Sequence, residues 1–150
     1  MKPLPEAKWL PWPGKNESKI VRNSVTVAYK KCARQGINPF VTPVVVDIGS
    51  SVKFRTFRVG CSPCITYTRG SQMAYWCSTT GGRLTSKDLD KLQGFQPGDV
   101  DWKAAGVTEK NYCGMLGNAQ SLNVLKALLP HVFYAGKLIN LDQFQAPTAK

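Results

Sequence analysis

The sequence predicts an α+β protein in which a small antiparallel β unit is followed by C-terminal helices. Residues 42–78 are rich in β-branched and aromatic side chains, in short runs between glycine and proline residues, which is typical of strands and turns. Apolar residues at helical spacing flank this stretch, and they predict helices near residues 24–35, 86–93, 108–116 and 120–135. The 150 residues are enough for one hydrophobic core.

Four strands are predicted within the β unit, over residues 44–46, 52–59, 64–68 and 73–78. The alternation in the second run changes phase half way, so we expect a bulge near Thr56. The bulge would place Lys53, Arg55 and Arg58 mostly on one basic face. A hairpin loop at residues 69–72 would join the last two strands.

The segments before the β unit differ in character. Residues 1–18 are predicted to form an irregular arm, because prolines and a glycine exclude a regular helix there. Trp9 and Trp12 in this arm could dock on the body, dock on a partner chain or stack on bases, and the cost of exposing tryptophan favours the body. The following helix is predicted to be capped by Ser24 and ended by Gly36.

The chain is strongly and unevenly basic, with a formal net charge of +11. Residues 1–60 hold eleven Lys or Arg against three acids, and residues 61–150 hold nine against six. This imbalance suits a polyanionic partner, and nucleic acid is the one that it fits best. A solvated basic surface without a partner would also explain the charge.

Composition argues against a membrane protein and against a disulfide-stabilised secreted protein. No apolar run is long enough to span a bilayer, and the N-terminus lacks a secretory signal, so we expect no membrane partner. The expected location is intracellular, in the nucleus of a eukaryote or the cytoplasm of a prokaryote. Five cysteines, an odd number, argue against a closed disulfide framework.

The segment Cys61-Ser62-Pro63-Cys64 has the spacing of half a zinc site or of a redox dithiol. No second pair follows, and the single histidine, His131, lies in an apolar helical pattern that favours a core side chain. A redox pair would also need a helix after its first cysteine, whereas a strand is predicted here. We therefore expect no metal site and cysteines that pack as small apolar groups.

Two blocks in the second half of the chain have definite local signals. The first runs from Arg83 to Phe95, where Thr85 and Asp88 are spaced to cap a helix and Gly94 fits the left-handed residue that ends it.

The second block runs from Asn111 to Val124. Thr108, just before this block, can cap a helix that Gly117-Asn118 breaks. The apolar run Leu122–Leu129 then begins the next helix.

Together the two blocks resemble the last two sequence motifs of the cytosine-C5 DNA methyltransferases. In the first, Leu84-Thr85 and Leu92-Gln93-Gly94-Phe95 match the family pattern Arg-x-Leu-Thr-Pro-Arg-Glu-x-x-Arg-Leu-Gln-Gly-Phe-Pro. In the second, Tyr112 and Gly117-Asn118-Ala119 match, and an apolar helix follows. The phrase Ser62-Pro63-Cys64-Ile65-Thr66 is similar to Ser-Pro-Thr-Ile-Thr at the end of the family's target-recognition region. The resemblance covers roughly residues 40–140.

The resemblance implies a division of the chain and a set of site residues. After the arm, residues 19–80 would be a target-recognition-like basic α+β region, and residues 81–150 a helical C-terminal methyltransferase segment. Asn118 and Ala119 would line part of the pocket for S-adenosyl-L-methionine, with Gly117 letting the backbone approach the ligand. The expected DNA contacts are Thr66, Arg69, Lys53 and Arg55.

The resemblance also implies that the reactive machinery of the family is absent. Pro63-Cys64 is followed by Ile65, whereas the family's nucleophile lies in a Pro-Cys-Gln block, so no catalytic residue is expected. The Phe-x-Gly-x-Gly and Glu-Asn-Val blocks are missing too. Methylation at C5 needs a thiolate, an acid and a bound sulfonium donor. We therefore predict that the chain is inactive alone.

Two functional hypotheses follow. In one, the chain is a C-terminal fragment or small subunit of an S-adenosylmethionine-dependent DNA (cytosine-5-)methyltransferase, working with a catalytic subunit that carries the N-terminal motifs. In the other, it is a noncatalytic basic DNA-binding or assembly module. The fold would be a fragment that lacks most of the family's doubly wound sheet, on which the last helices pack. The apolar face from Leu122 to Ala135 should therefore be partly uncovered, or covered by another chain.

Overall fold

The computed structural model describes residues 12–51 and 56–140. Within these ranges the elements are α1 (Lys19–Arg34), β1 (Val44–Asp47), β2 (Phe57–Val59), α2 (Tyr67–Ser71), β3 (Tyr75–Cys77), β4 (Gly82–Arg83), α3 (Ser86–Gln93), α4 (Glu109–Asn118) and α5 (Leu122–Ala135). The predicted α+β class is confirmed. Trp9, Lys53, Arg55 and the residues just before the predicted bulge at Thr56 lie outside the described residues, as does the end of the chain from residue 141.

The four strands form one antiparallel sheet in the order β2-β1-β3-β4. Val45 at the centre of β1 pairs with Arg58 on one side and with Cys77 on the other. All four residues of β1 are buried, which explains its uninterrupted β-branched run. The predicted antiparallel β unit is thus confirmed, and it extends to β4, whose two residues are too few to produce a sequence pattern.

Helices cover both faces of the sheet and create two hydrophobic cores. Alternation along β1 sends its side chains to opposite faces, so that each core receives part of the strand. The core on the α1 face contains Val25, Ala28, Cys32, Val44, Val46 and Trp76. The core on the face of α3 and α4 contains Val45, Tyr75, Leu89, Tyr112, Cys113 and Leu116.

The helix α1 begins five residues earlier than the sequence predicts. Ser18 is its N-cap and accepts a hydrogen bond from the Val21 N–H at 3.3 Å. Ser24, the predicted cap, is buried inside the helix and donates its hydroxyl proton to the Ile20 carbonyl at 2.9 Å. The first turn, Lys19–Arg22, contributes Val21 to the buried side at the helical spacing of Val25 and Ala28, so the apolar pattern extends further back than the predicted start.

The described part of the N-terminal arm docks on the body, as predicted for Trp12. The Trp12 ring lies 5.1 Å from the Tyr29 ring, centroid to centroid. Glu17 accepts two hydrogen bonds from the Arg83 guanidinium, at 2.8 and 2.7 Å. These bonds hold the pKa of the Glu17 carboxyl below its usual range.

The predicted strand over residues 64–68 and the hairpin loop over 69–72 are wrong. Thr66 is instead the N-cap of the short helix α2. This helix lies against α4 so closely that a Cβ atom on Gly70 would stand 2.1 Å from the Cys113 carbonyl oxygen. Packing against a segment some forty residues further along the chain outweighs the strand propensity of these residues.

The capping signals of α3 and α4 are confirmed. Thr85 and Asp88 form a reciprocal capping box at the start of α3, and Gly94 ends the helix with a φ of 86°. Thr108 caps α4 by accepting a hydrogen bond from the Asn111 N–H. These signals lie within a few residues of one another, so they are legible in the sequence.

The helix α5 is largely uncovered. It continues through Pro130, which is its only buried residue. Val124, Leu128 and Val132 are 56%, 53% and 51% exposed. The predicted uncovered apolar face is therefore present. His131, predicted as a core side chain, is exposed because the described residues cover little of this helix. None of the described helices combines the length and apolar character needed to cross a membrane.

Candidate cofactor and DNA contact site

The two sequence blocks that carry the resemblance meet at the end of α4. The Gln93 side-chain amide donates to the Leu116 carbonyl at 2.7 Å and to the Ala119 carbonyl at 3.3 Å. Gln93 is 8% exposed, and its amide donates to carbonyls at the end of α4, of which Leu116 also accepts from the Ala119 N–H at 3.3 Å. The first block thereby holds the point at which Asn118 and Ala119 leave α4.

A second contact joins the same blocks. Gly94 has a left-handed backbone, and a Cβ atom there would stand 2.7 Å from the Asn123 side-chain oxygen near the start of α5. The left-handed conformation therefore favours glycine at this position, and a Cβ atom there would push the exposed Asn123 side chain aside. We call Gln93, Gly94, Asn118, Ala119 and Asn123 the α3–α4–α5 junction.

Gly117 does not have the role that the sequence suggested. It lies inside α4 rather than in a break between helices, and a Cβ atom on it would stand 2.2 Å from the Thr66 carbonyl carbon. A Cβ atom on Gly114 would likewise stand 2.9 Å from the Tyr67 ring. These glycines allow α4 to pack against the start of α2, so the close approach is between two helices and not between backbone and ligand.

Asn118 and Ala119 remain accessible at the junction. Asn118 is exposed, and Ala119 is half-buried in an extended conformation that turns the chain toward α5. Ser121, the N-cap of α5, makes no side-chain capping hydrogen bond. The junction thus offers an amide side chain and helix N–H groups to a polar ligand.

The predicted DNA contact Thr66 lies in a firmly held loop. Its N–H donates to the Tyr75 hydroxyl at 3.3 Å, and that hydroxyl donates to the Cys64 carbonyl at 2.9 Å. Tyr75 is 1% exposed, and burial raises the pKa of its phenol. Thr66 itself is exposed, so its hydroxyl is fixed in position and accessible to a phosphate.

The other described DNA contact residue, Arg69, is already paired. Its Nε lies 3.2 Å from a carboxylate oxygen of Asp47, which also accepts from the Ser50 hydroxyl and the Gly49 N–H. The ion pair orients the guanidinium and reduces its net positive field. Because the pair uses Nε, the two Nη groups can still donate to a phosphate.

The cysteine prediction is wrong in part. Cys61 and Cys64 are both exposed rather than packed, whereas Cys32, Cys77 and Cys113 are buried. Within residues 12–51 and 56–140, no three side chains of the metal-ligating types cluster together. The loop before α2 is held through its backbone by Tyr75, so its thiols are free to face solvent.

A polar cleft between α3, α4 and the connection that joins them was not predicted. Its volume is about 590 Å³, and it is lined by Ser86, Asp90, Trp102 and Glu109 among others. Tyr112 stacks on Trp102 at 5.2 Å and donates to Asp90, and burial together with this bond raises its pKa. The segment that connects α3 and α4 has no apolar periodicity, so the sequence gives no signal for this cleft. Neither Asn118 nor Ala119 lines the cleft.

The chain was compared with family models, with curated proteins and with solved structures, and none of the three comparisons gave a match.

Proposed function

We propose that this chain is the C-terminal part or small subunit of an S-adenosylmethionine-dependent DNA (cytosine-5-)methyltransferase. In this role it contributes DNA contacts and one wall of the cofactor pocket, while a catalytic subunit supplies the nucleophile and the main cofactor motifs. The observation that carries the proposal is the uncovered α5. A helix with apolar side chains around most of its circumference is typical of a large core, and within residues 12–51 and 56–140 the faces of the sheet pack against α1, α3 and α4 and not against α5.

The geometry of the junction supports the same proposal. Two blocks with fifteen residues between them meet at one end of α4, through the hydrogen bonds of Gln93 and the close approach of Gly94 to Asn123. Residues that share a ligand wall need such mutual support to keep their positions. Asn118 and Ala119 lie just before α5 in the chain, so the proposed cofactor wall adjoins the start of the uncovered helix.

The residues of this chain would bind and orient, and they would carry out no bond-making step. S-adenosyl-L-methionine, when bound, would supply an electrophilic methyl group. Asn118 would donate or accept a hydrogen bond at the edge of that ligand. Thr66 and Arg69 would hold the DNA backbone in register while a cytosine leaves the base stack.

Complementation tests the proposal. The chain is mixed with a methyltransferase fragment that carries the missing motifs, and methyl transfer to cytosine is followed. We expect activity from the mixture and none from either part alone. Asn118→Ala should raise the KM for the methyl donor more than it lowers kcat, whereas Asn111→Ala, at the exposed start of the same helix, should change neither. Absence of activity across catalytic fragments that do bind the chain would refute the proposal.

A second candidate is a noncatalytic basic DNA-binding or assembly module, and the net charge of +11 favours it. Such a module would bind DNA without any catalytic partner, with an affinity that falls steeply as salt rises. Binding that does not depend on salt would eliminate this candidate.

A further inference from the structure

The outer surface of α1 carries cations that the fold itself does not use. The helix contains five Lys or Arg and no acid: Lys19, Arg22, Lys30, Lys31 and Arg34, all of them exposed. We call these residues the α1 basic face. The opposite side of the helix, which includes Val21, Val25 and Ala28, is buried against the sheet.

Helix stability explains only two of these five cations. Lys31 and Arg34 in the last turn complement the negative end of the helix dipole. Lys19 and Arg22 lie at the positive end, where the dipole disfavours cations, and the first turn contains no acid to offset them. The spacing also creates like-charge pairs such as Lys30 and Arg34, which weaken an isolated helix. A charge pattern that costs stability calls for a reason outside the helix.

The ion pairs of the described residues do not supply that reason. Within residues 12–51 and 56–140, the pairs are Arg69 with Asp47 and Arg83 with Glu17, and neither includes a cation of α1. The α1 basic face is therefore not neutralised by the acids that the structure describes.

We propose that the α1 basic face binds the phosphodiester backbone of double-stranded nucleic acid, as a surface separate from Thr66 and Arg69. The face extends over about 22 Å, at 1.5 Å per residue. A duplex carries about thirteen charges over that length. Asn23 is exposed and lies between the two groups of cations, and amide side chains are common phosphate contacts.

The chemistry of the face decides against two other partners. An amphipathic helix on a membrane needs its apolar side to enter the bilayer, and the apolar side of α1 is already packed on the sheet. Protein interfaces concentrate their energy in buried aromatic and apolar residues, whereas interfaces with nucleic acid are polar and strongly positive. The α1 basic face is of the second kind.

The sheet separates this surface from the contacts of the proposed methyltransferase. Because α1 covers one face of the sheet and α2 packs with α4 on the other, the two surfaces can be altered independently. The proposal consequently does not rest on the methyltransferase assignment.

Matched charge variants test the proposal. Lys30→Ala, Lys31→Ala and Arg34→Ala are combined in one variant, and Lys87→Ala, Lys110→Ala and Lys126→Ala in a control that removes the same charge from three other helices. Binding to a random-sequence DNA duplex is measured against salt concentration. The slope of log K against log salt should fall by about 0.9 for each phosphate that the protein no longer neutralises, hence by two to three in the α1 variant. In the control the slope should fall by less than one.

Further binding measurements identify the chemical class of the partner. Duplex RNA of the same length distinguishes a general phosphate backbone from a DNA-specific groove, and vesicles of anionic lipid test a membrane. Equal weakening by both triple variants, or equal binding to vesicles, would overturn the proposal. Lysine acetylation of the unaltered protein provides a check without mutation: bound duplex should protect Lys19, Lys30 and Lys31 but leave Lys87 reactive. Unchanged reactivity at the α1 lysines would also overturn it.

Discussion

At the scale of single residues, the glycines of α2 and α4 show how one residue type can serve different purposes. The sequence suggested that Gly117 gives the backbone access to a ligand. In the structure it gives α4 access to the start of α2, as Gly70 and Gly114 also do. Both purposes require the absence of a Cβ atom, so sequence alone could not distinguish them.

Replacing Gly117 with alanine should destabilise the protein. Alanine gains about 1 kcal/mol of helix propensity over glycine. The new Cβ atom would stand 2.2 Å from a backbone carbon, which no side-chain rotation can relieve. Overpacking typically costs about 1–3 kcal/mol and more where backbone must move, so we expect a net loss of about 2 kcal/mol in the free energy of unfolding.

Chemical denaturation measures this loss. Gly82→Ala is the matched control, because a Cβ atom at that position would have no neighbour within 4 Å and its φ is not in the left-handed region. The control should stay within about 0.5 kcal/mol of the parent protein. Equal stability of the Gly117→Ala variant would mean that α2 and α4 do not pack as closely as described.

At the scale of elements, a helix or strand could be predicted from the sequence when the interactions that stabilise it are local in the chain. The bounds of α3 could be predicted from the sequence, because its capping box and its terminal glycine lie within a single short segment. The helix α2 could not, because its stability comes from contact with α4, and its own residues favour a strand. The junction lies between these cases: its blocks were recognisable, but the bond from Gln93 to Leu116 was not.

Removing the Gln93 amide should loosen α4 from α3. In Gln93→Ala the Ala119 carbonyl loses the Gln93 donor and the Leu116 carbonyl keeps only the Ala119 N–H at 3.3 Å, and a buried carbonyl without a partner costs about 1–3 kcal/mol. We expect the free energy of unfolding to fall by about 2 kcal/mol. Amide hydrogen exchange at the end of α4 should accelerate more than exchange in α1, which lies on the other face of the sheet.

The exposed Gln96 provides the control for that measurement. Gln96→Ala removes the same side chain three residues further on, and it should leave both stability and exchange unchanged. If the two variants behave alike, Gln93 does not hold the end of α4. The proposed positioning of Asn118 and Ala119 by Gln93 would then be wrong as well.

At the scale of the whole molecule, two features remain unexplained by the fold alone: an apolar helix without cover and a basic helix without acids. The sequence predicted both in outline, through the apolar run after Leu122 and the surplus of cations before residue 60. It could not place them, because their positions depend on which face of the sheet each helix covers. The uncovered apolar helix is consistent with an apolar partner surface, and the basic helix with an anionic partner.

The uncovered helix gives a test at this scale. Leu128→Glu places a charge on a side chain that is 53% exposed, so the chain alone should keep its melting temperature, since substitutions at exposed sites usually stay within about 0.5 kcal/mol. If a catalytic subunit buries this face, the same change removes an apolar contact and buries a carboxylate. The affinity for that subunit should then fall at least about a hundredfold, or about 2.7 kcal/mol.

Val41→Glu is the matched control, because Val41 is 76% exposed and lies in the loop before β1, away from α5. It should change neither the melting temperature nor the affinity for the catalytic fragment, which isothermal titration calorimetry measures for both variants. A large drop in the melting temperature of the Leu128→Glu variant alone would mean that the chain covers α5 itself. Equal affinities of the two variants for the fragment would mean that the partner binds elsewhere, and the apolar face would then need another occupant.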